Sequence, residues 1–450
     1  MMKLSDIATL FNSEEVIADA EITGVSTDSR TIEQGNLFVA LHGENFDGHD
    51  YLNVVEEKGA IAVIVDRDVS LSIPVIKVKD TLIALGDMAA WWRQQLQIQV
   101  VGLTGSNGKT TVKDMLTSIL SEVGNVTSTR GNFNNDIGLP LTMLQIKPEH
   151  EYAVIEMGAN HAGEIAYLTR ITQPDVAILN NAGAAHLEGF GSLQGVAEAK
   201  GEIFSGLSEN GVAIINIDDR FADYWMSLCD DHKKIFFGLG AAADVTTTTV
   251  VENYTGCFVL NAADDEVEVC LNVLGVHNQK NALAASAAAI ALGVDVVNIK
   301  KGLEKFTGVK GRLQLFRAAN DSIVIDDSYN ANPTSMRVAI DVLSQQQKTS
   351  VLVIGDMGEL GSDAAELHAE IGEYAKEKNI NILMTLGELS RNAAERFGEN
   401  GIAYDEKQAL VRDVSKKLEQ GVAVLVKGSR SMHMEEVVDA LVNKNNTGIA

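Results

Sequence analysis

The sequence predicts an α/β protein of three domains. The chain has 450 residues, and soluble domains average roughly 150 residues. Apolar, strand-like segments alternate with helix-like segments over most of the chain, which is typical of parallel sheets covered by helices. Residues 244–276 break this alternation with Val, Thr, Phe and Tyr, which predicts a β meander. We expect a small α/β N-terminal domain, a central parallel-sheet domain with an added β meander, and a C-terminal Rossmann-like α/β domain.

The N-terminal domain is predicted to span residues 1–82. Two short β-type segments, 37–41 and 60–65, are separated by the turn-forming residues 43–48. A helical segment at 81–95 then leads into the central domain, predicted at 83–312. A polar, glycine-rich stretch at its end precedes the C-terminal domain, predicted at 313–450.

The two larger domains show the clearest strand signals. The central domain has a predicted helix that follows the meander, at 277–292, and the C-terminal domain repeats the alternation of strands and helices. The predicted strands lie at 152–156, 176–180, 212–217, 322–326, 350–354, 381–385 and 422–426.

Composition excludes several classes of protein. Hydrophobic residues make up 46% and charged residues 22% of the chain, which argues against disorder, collagen and coiled coil. The formal net charge of −26 repels a phosphate backbone over most of the surface, so we expect no nucleic-acid partner. An anionic small ligand remains compatible with a local basic pocket.

The cysteines and the apolar segments predict a cytoplasmic location. Cys229, Cys257 and Cys270 lack zinc-ligand spacing and cannot all pair within one chain, so we expect reduced thiols. The first ten residues do not resemble a secretory signal. The most apolar stretch, 282–294, is shorter than the roughly 18 to 20 residues that a bilayer requires, so we expect a buried helix and no membrane insertion.

Residues 102–111 carry the most informative motif, Gly-Leu-Thr-Gly-Ser-Asn-Gly-Lys-Thr-Thr. The motif follows a predicted strand and precedes a predicted helix, which is the setting of a phosphate-binding loop, or P-loop. Its glycines let backbone N–H groups approach a polyphosphate, Lys109 supplies charge, and the Thr110 hydroxyl is a ligand for Mg²⁺. Leu103 stands where the strict pattern has its first glycine, and the alternative is a tight turn with a capping threonine. The predicted ATP-binding residues here are Gly105, Ser106, Asn107, Gly108, Lys109, Thr110 and Thr111.

The form T-G-x-N-G-K-T-T resembles the Mur ligase superfamily, whose members use ATP to activate a carboxylate as an acyl phosphate that an amine then attacks. Further matching segments lie along nearly the whole chain. In the N-terminal domain they resemble the branch that binds uridine nucleotides, and four later segments resemble the enzymes of that branch that add D-alanyl-D-alanine. The segments are 26–30, 35–43 and 47–49, followed by 180–192, 199–204, 326–333 and 427–432.

The resemblance implies substrates for each domain. The N-terminal domain would bind the uridine nucleotide of UDP-N-acetylmuramoyl-tripeptide, and the central domain would bind ATP and Mg²⁺. The C-terminal domain would close over ATP and bind the incoming D-alanyl-D-alanine. The reaction would be a cytoplasmic step of peptidoglycan precursor synthesis, and we expect a monomer.

A metal site is expected at the carboxyl ends of the central strands, because sites in open α/β sheets collect there. Glu156 ends one predicted strand and His186 follows another. With Thr110 they are the predicted ligands, with two Mg²⁺ ions expected. The alternatives are a helix-capping carboxylate for Glu156 and a surface histidine for His186. The resemblance implies that Lys200 is carbamylated and becomes an oxygen ligand, whereas the residue alone suggests a helix lysine in a salt bridge.

The remaining predicted contacts lie in later segments and in the N-terminal domain. Asn278 and Asn281 are three residues apart at a helix start, where both amides share one face or simply cap the helix. The resemblance assigns Arg312 to the γ-phosphate and Asp327 to the ribose. Tyr329 either stacks near the base or simply packs in the interior. Lys109, Glu156, His186, Lys200 and Arg312 form the predicted catalytic set. The predicted substrate-binding residues are Ser29, Arg30, Asn132, Asn134, Asn135, Asp136, Asn330, Asn332, Lys427, Ser429 and Arg430.

Two other functions remain open from the sequence. One is another amino-acid ligase of the same superfamily, of the MurE or folylpolyglutamate type, although the Asp-Asn-Pro-Arg motif of MurE-type enzymes is absent. The other is a P-loop nucleotide-gated binding protein without ligase activity. No nucleophile is required for amine attack on an acyl phosphate, which agrees with the lack of a Cys/His or Ser/His/Asp pattern.

Overall fold

A computed structural model describes residues 2–13, 19–43, 46–184, 187–240, 242–248, 256–262, 265–273, 275–346 and 349–442. Among these residues the strands form sheets of four, nine and six strands and a separate two-stranded hairpin. Helices cover the three larger sheets, so the predicted α/β fold class is confirmed.

The first sheet is parallel throughout, in the order β1-β2-β5-β6. Strands β2 and β5 are buried along their whole length, because helices or loops cover both faces of a parallel sheet. The elements of this part are α1 Leu4–Leu10, β1 Gly24–Ser26, β2 Asn36–Val39, β3 His42–Gly43, β4 Phe46–Asp47, α2 Leu52–Glu57, β5 Ala62–Val65 and β6 Val75–Lys77.

The nine-stranded sheet has the order β15-β14-β13-β12-β11-β10-β7-β9-β8. Strands β7 to β13 are parallel to their neighbours, and β14 and β15 continue the sheet as an antiparallel hairpin. Its strands are β7 Gln99–Thr104, β8 Val126–Ser128, β9 Tyr152–Glu156, β10 Val176–Leu179, β11 Val212–Asn216, β12 Lys233–Phe237, β13 Val245–Thr247, β14 Cys257–Ala262 and β15 Asp265–Cys270.

Nine helices accompany this sheet in the described part of the chain. The long α10 is alanine-rich and packs against α4, and its small side chains let the two helices lie close beside the sheet. The helices are α3 Thr81–Gln95, α4 Lys109–Leu120, α5 Gly138–Leu144, α6 Glu164–Thr172, α7 Leu187–Phe190, α8 Leu193–Gly201, α9 Ala222–Ser227, α10 Val276–Ala291 and α11 Val296–Lys305. No helix in the described ranges has both the length and the apolar character needed to cross a membrane.

The β14–β15 hairpin corrects the expectation that all three cysteines are reduced. Cys257 and Cys270 are direct partners in the antiparallel register, with Cα atoms 3.9 Å apart, and their sulfur atoms are bonded. Opposite residues of an antiparallel pair project to the same face, so the register brings the two thiols together. The sequence shows the strands but not this register. Cys229 is a free thiol whose pKa burial raises to about 11.

The six-stranded sheet has the order β16-β17-β21-β18-β19-β20, and only the β16–β17 pair is antiparallel. The strands are β16 Gln314–Arg317, β17 Ile323–Asp327, β18 Thr349–Gly355, β19 Ile382–Leu386, β20 Gly401–Tyr404 and β21 Val422–Lys427. The helices are α12 Pro333–Ser344, α13 Ala364–Glu377, α14 Arg391–Phe397, α15 Lys407–Ser415 and α16 Glu435–Val442.

Helix α11 presses against α4, the helix that follows the glycine-rich loop. Gly302 makes the close approach possible, since a Cβ atom there would lie 2.3 Å from the Cα atom of Ile119. The Ser118 hydroxyl donates a 2.7 Å hydrogen bond to the Gly302 carbonyl at the same contact. This contact fixes the position of α11 against α4.

We expect Gly302→Ala to destabilise the protein by about 1–3 kcal/mol, because the new methyl meets backbone that cannot rotate away. An alanine in an unhindered helix would instead stabilise by about 0.5–1 kcal/mol. Urea denaturation midpoints measure the difference, and Val297→Ala serves as the control because Val297 is 55% exposed on the same helix. A Gly302→Ala protein as stable as the unmodified chain would contradict this packing.

Candidate functional site

A cleft of about 840 Å³ lies between the nine-stranded and six-stranded sheets. Loops at the carboxyl ends of β7, β9, β10 and β11 form one wall, and loops after β17, β18 and β21 form the other. Most of the predicted site residues line this cleft. They are Ser106, Asn107, Gly108, Lys109, Thr111, Asn134, Asn135, Glu156, Asn278, Asn281, Arg312, Asp327, Tyr329, Asn330, Asn332, Lys427, Ser429 and Arg430.

The glycine-rich loop joins β7 directly to α4. Gly108 has a φ of +80° at the start of the helix, and a Cβ atom there would lie 2.4 Å from the Asn281 Oδ1 atom. Only glycine, which has no Cβ atom, both adopts this positive φ readily and fits this space. The Lys109 ammonium donates a 2.8 Å hydrogen bond to the Gly105 carbonyl and so lies folded over the loop. Burial lowers the pKa of Lys109, nearby Glu156 opposes that effect, and Arg312 adds to it.

Asparagine side chains hold the loop from the adjacent strand end. Asn180 and Asn181 each donate to the Asn107 carbonyl, at 2.9 and 3.0 Å, and the Asn107 N–H donates to Asn181 Oδ1 at 2.9 Å. Asn180 also donates to Asn281 Oδ1 at 3.2 Å. The sequence analysis did not select Asn180 or Asn181, although two polar residues directly after an apolar strand are the signal that identifies such positions.

A carboxylate lies beside the first turn of α4. Glu156 is 2% exposed, and its two oxygens accept hydrogen bonds from the Thr110 hydroxyl at 3.0 Å and from the Asn134 amide at 2.8 Å. Arg312 donates to the same Thr110 hydroxyl at 3.2 Å. The Thr110 hydroxyl therefore lies between an acidic group of the nine-stranded sheet and a basic group from the start of the six-stranded sheet.

Thr110 and Glu156 suit a magnesium ion. Both offer hard oxygen ligands, and Mg²⁺ in nucleotide sites takes only one or two protein ligands and completes its shell with phosphate oxygens and water. Within the described ranges no three His, Cys, Asp or Glu side chains gather as a metal site, so these residues do not form an all-protein cage. His186, the other predicted ligand, lies outside the described residues.

Lys200 is buried on α8 and does not line the cleft. Its side chain is among the largest fully buried ones, with 1% exposure, and its Nζ atom lies 5.9 Å from the centre of the Phe190 ring. Among the described residues it has no carboxylate or hydrogen-bond partner, so the predicted salt bridge of the alternative interpretation does not form. Burial, followed by the charge of Lys109, lowers the pKa of Lys200 well below its ordinary value.

The opposite wall carries a second charged group. The Lys427 ammonium donates to Asp327 Oδ2 at 2.6 Å and to the Asn330 carbonyl at 2.8 Å, and both charged side chains are buried. Burial raises the pKa of Asp327 and Lys427 opposes that rise. Nearby, the Arg312 guanidinium lies 4.5 Å above the Tyr329 ring, and its buried Nε has no hydrogen-bond partner in the described part of the chain.

Some predicted residues do not meet in this cleft. Ser29 and Arg30 follow β1 in the first sheet, where Arg30 pairs with Asp28 at 2.7 Å and holds the pKa of that carboxyl at about 2. Asn132 and Asp136 flank the lining residues without joining them. Their roles stay predictions.

Several lining residues were missed by the sequence analysis. Asp218 and Asp219 follow β11 and line the cleft. The Lys280 ammonium forms an ion pair with Asp218 at 3.2 Å. Their place in the sequence Asn-Ile-Asp-Asp, at the end of an apolar strand, is the pattern that could have identified them. His277 also lines the cleft, and burial together with Lys427 lowers its pKa to about 4.

The low pKa of His277 predicts a pH dependence of stability. At His277 the unfolded chain takes up a proton near pH 6.5 and the folded chain only near pH 4. The contribution of the neutral imidazole to the free energy of unfolding is therefore complete above about pH 6.5 and is lost as the pH falls towards about 4. In urea denaturation, the unmodified chain should lose stability relative to His277→Gln as the pH falls across that interval. Parallel profiles of the two proteins would contradict a neutral, buried imidazole.

Comparisons with known proteins agree with the site. Three family models match the chain in order: "Mur ligase family, catalytic domain" at residues 21–93, "Mur ligase middle domain" at 103–289, and "Mur ligase, glutamate ligase domain" at 311–430. The UDP-N-acetylmuramoyl-tripeptide--D-alanyl-D-alanine ligase of Escherichia coli is 45% identical over 442 residues, which cover 97% of this chain and 98% of that protein.

Solved structures of Mur ligases also match the chain over nearly its whole length. MurF from Acinetobacter baumannii superposes with a TM-score of 0.92 at 38% identity, covering 98% of both chains. MurF ligase from Thermotoga maritima, crystallised in complex with ADP, gives a TM-score of 0.83 at 30% identity and covers 94% of this chain and 98% of that one. With family models along most of its length and relatives of this identity end to end, the chain belongs to the Mur ligase family.

Proposed function

We propose that this protein is the ATP-dependent ligase that joins D-alanyl-D-alanine to UDP-N-acetylmuramoyl-tripeptide through an acyl phosphate. The observation that carries the proposal is the meeting of the phosphate loop, Glu156 and Arg312 at the Thr110 hydroxyl, in one cleft between two sheets. The full-length identity to relatives named for this activity supports the choice of substrates.

The chemistry requires that two anions approach each other. The tripeptide carboxylate attacks the γ-phosphorus of ATP, the bond to the β-phosphate oxygen breaks, and ADP leaves. Lys109 lies folded over the loop and Arg312 donates to the Thr110 hydroxyl. Both would offset the negative charge of the transferred phosphoryl group. Positively charged groups fixed before the substrates arrive need no reorganisation during the reaction.

The amine of D-alanyl-D-alanine then attacks the acyl phosphate, a new C–N bond forms, and inorganic phosphate leaves. No enzyme nucleophile is needed for this step. The enclosing walls of the cleft matter here because an acyl phosphate also reacts with water. We assign Lys427, Ser429 and Arg430, on the wall opposite the phosphate loop, to the carboxylate of the incoming dipeptide.

We assign the adenosine of ATP to the end of the cleft formed by Asn278, Asn281, Asp327 and Tyr329. The phosphates would lie on residues 105–111. Magnesium, held by Thr110 and Glu156, would supply charge neutralisation at the phosphates. Asn134 and Asn135 would contact the sugar or peptide of the nucleotide substrate, whose uridine would be bound by the first sheet through Ser29 and Arg30.

We further infer that the enzyme acts in the cytoplasm, where both ATP and the UDP-linked substrate are found, and we propose that it acts there as a monomer. Its negative net charge is compatible with these ligands, since the cationic side chains that face the cleft are few and fixed in place.

We expect phosphate release from ATP only when the UDP-linked tripeptide and D-alanyl-D-alanine are both present with magnesium. A coupled phosphate assay measures it, and chromatography of the product identifies the pentapeptide. Reactions with single amino acids in place of the dipeptide, and with EDTA, are the controls. Phosphate release with a single amino acid alone would favour another ligase of the family, and hydrolysis indifferent to any acceptor would favour a nucleotide-gated binding protein.

We also propose that Lys200 reacts with CO₂ to form a carbamate. The neutral amine is the form that attacks CO₂, and burial favours that form because it lowers the pKa of Lys200, which has no carboxylate partner among the described residues. The amine nitrogen bonds to the carbon of CO₂ as one C=O bond opens to a carboxylate oxygen, and the N–H proton passes to solvent. Compared with the protonated lysine, the product carries a negative charge in place of a positive one. That change replaces the repulsion between Lys109 and Lys200 with an attraction.

Lys200→Ala should lower kcat by about 10- to 100-fold, and short-chain carboxylates such as acetate should restore part of the loss. Lys113→Ala is the matched control, because Lys113 is equally buried but donates to the Thr129 carbonyl at 2.7 Å, and acetate should not rescue it. A carbamate signal in ¹³C NMR with labelled bicarbonate would be an independent readout. Absence of both the rescue and the signal would contradict the carbamate.

A further inference from the structure

One hydrogen bond connects the six-stranded sheet to the centre of the phosphate loop. The Asn332 amide nitrogen donates to Asn107 Oδ1 at 2.9 Å, between residues 225 positions apart in the sequence. Asn332 lies at the start of α12, directly after the loop that follows β17, whereas Asn107 lies between β7 and α4. The bond therefore exists only where the two walls of the cleft are in contact.

The orientation of the Asn332 amide is fixed by its own helix. Its Oδ1 atom accepts from the Ser335 N–H at 2.8 Å as the N-cap of α12, and the Ser335 hydroxyl accepts from the Asn332 N–H at 3.0 Å. Pro333 at the first helical position restrains the backbone further. Because Oδ1 serves the cap, Nδ2 is the atom that faces the phosphate loop, and little side-chain entropy is lost in the contact.

Asn107 is the central residue of that loop. Its backbone N–H and carbonyl are bound to Asn180 and Asn181 of the nine-stranded sheet, so its side chain is the part that reaches the opposite wall. Gly108 and Lys109 follow it immediately. A displacement of Asn107 is therefore transmitted to the glycine with positive φ and to the phosphate-binding lysine.

The same contact region is tightly packed. A Cβ atom at Gly183, beside the loop, would lie 3.2 Å from the Thr334 hydroxyl in the first turn of α12 and 3.3 Å from the Asn107 amide nitrogen. Gly183 therefore lies close to both the loop and the first turn of the helix. A second hydrogen bond joins the two walls three residues after Asn107 along the chain, from Arg312 to the Thr110 hydroxyl in the first turn of α4.

We propose that Asn332 is a positioning residue that couples closure of the six-stranded sheet to the geometry of the phosphate loop. Closure completes the hydrogen bonds of Asn107, and a correctly placed loop in turn favours closure. The assignment of this step to catalysis rests on the proposed ligase function, whereas the coupling between nucleotide binding and closure does not.

Asn332→Ser tests this directly, because serine is an equally good N-cap but has no amide to donate to Asn107. We expect an unchanged melting temperature, a radius of gyration in saturating ATP that is larger than that of the unmodified protein, and a three- to tenfold lower kcat, about the value of one neutral hydrogen bond. Asp295→Ser changes the N-cap of α11 in the same way, away from the cleft, and should leave kcat and the scattering unaltered. Asn332→Thr provides a second capping variant if the serine variant is unstable.

A double-mutant cycle separates this role from a general structural one. If Asn107 and Asn332 act through their shared bond, Asn107→Ala combined with Asn332→Ser should lose no more activity than the more damaging single change. Multiplication of the two losses, or scattering and kcat equal to those of the unmodified protein in Asn332→Ser, would overturn the proposal. The scattering experiment needs only ATP, so a failure of the ligase assignment would leave its result interpretable.

Discussion

The hydrogen bonds that surround Asn107 are the interactions on which the cleft depends. A phosphate-binding loop presents several N–H groups to the ligand, so its other polar groups have to be restrained by other parts of the chain. Here neutral amides do this: Asn180 and Asn181 from the adjacent strand end and Asn332 from the opposite wall. Amides donate and accept without adding charge, and the loop keeps a geometry suited to an anion.

The charge of the protein is organised around that neutral framework. The chain carries a net charge of −26, yet Lys109, Arg312 and Lys427 all face one cleft. Their acidic neighbours, Glu156 and Asp327, are each held by a hydrogen bond and buried. Charges in such surroundings interact more strongly than charges at the surface, because little water screens them. A few fixed cations can therefore bind a polyphosphate that the surface as a whole would repel.

The sequence predicted the elements better than the contacts between them. The periodicity of apolar residues located β9 and α3 at their observed bounds, because buried strands and helices have distinct repeats. The pairing of Cys257 with Cys270 depends on a register that no local pattern encodes. In the same way, the bonds of Lys427 to Asp327 and of Asn332 to Asn107 join residues about 100 and 225 positions apart, so the motifs identified the residues without identifying their partners.

Lys200 shows why an apparent defect of packing is informative. A buried ammonium without a partner is costly, and proteins normally pair such a group or replace it with an apolar one. Lys113, on α4, is as well buried and has the Thr129 carbonyl as its acceptor, so the fold is able to provide for a buried lysine. At Lys200, burial and then the charge of Lys109 lower the pKa of the amine, which favours its neutral, nucleophilic form. The carbamate that we propose at Lys200 would account for a lysine at a buried position where an apolar side chain would stabilise the core.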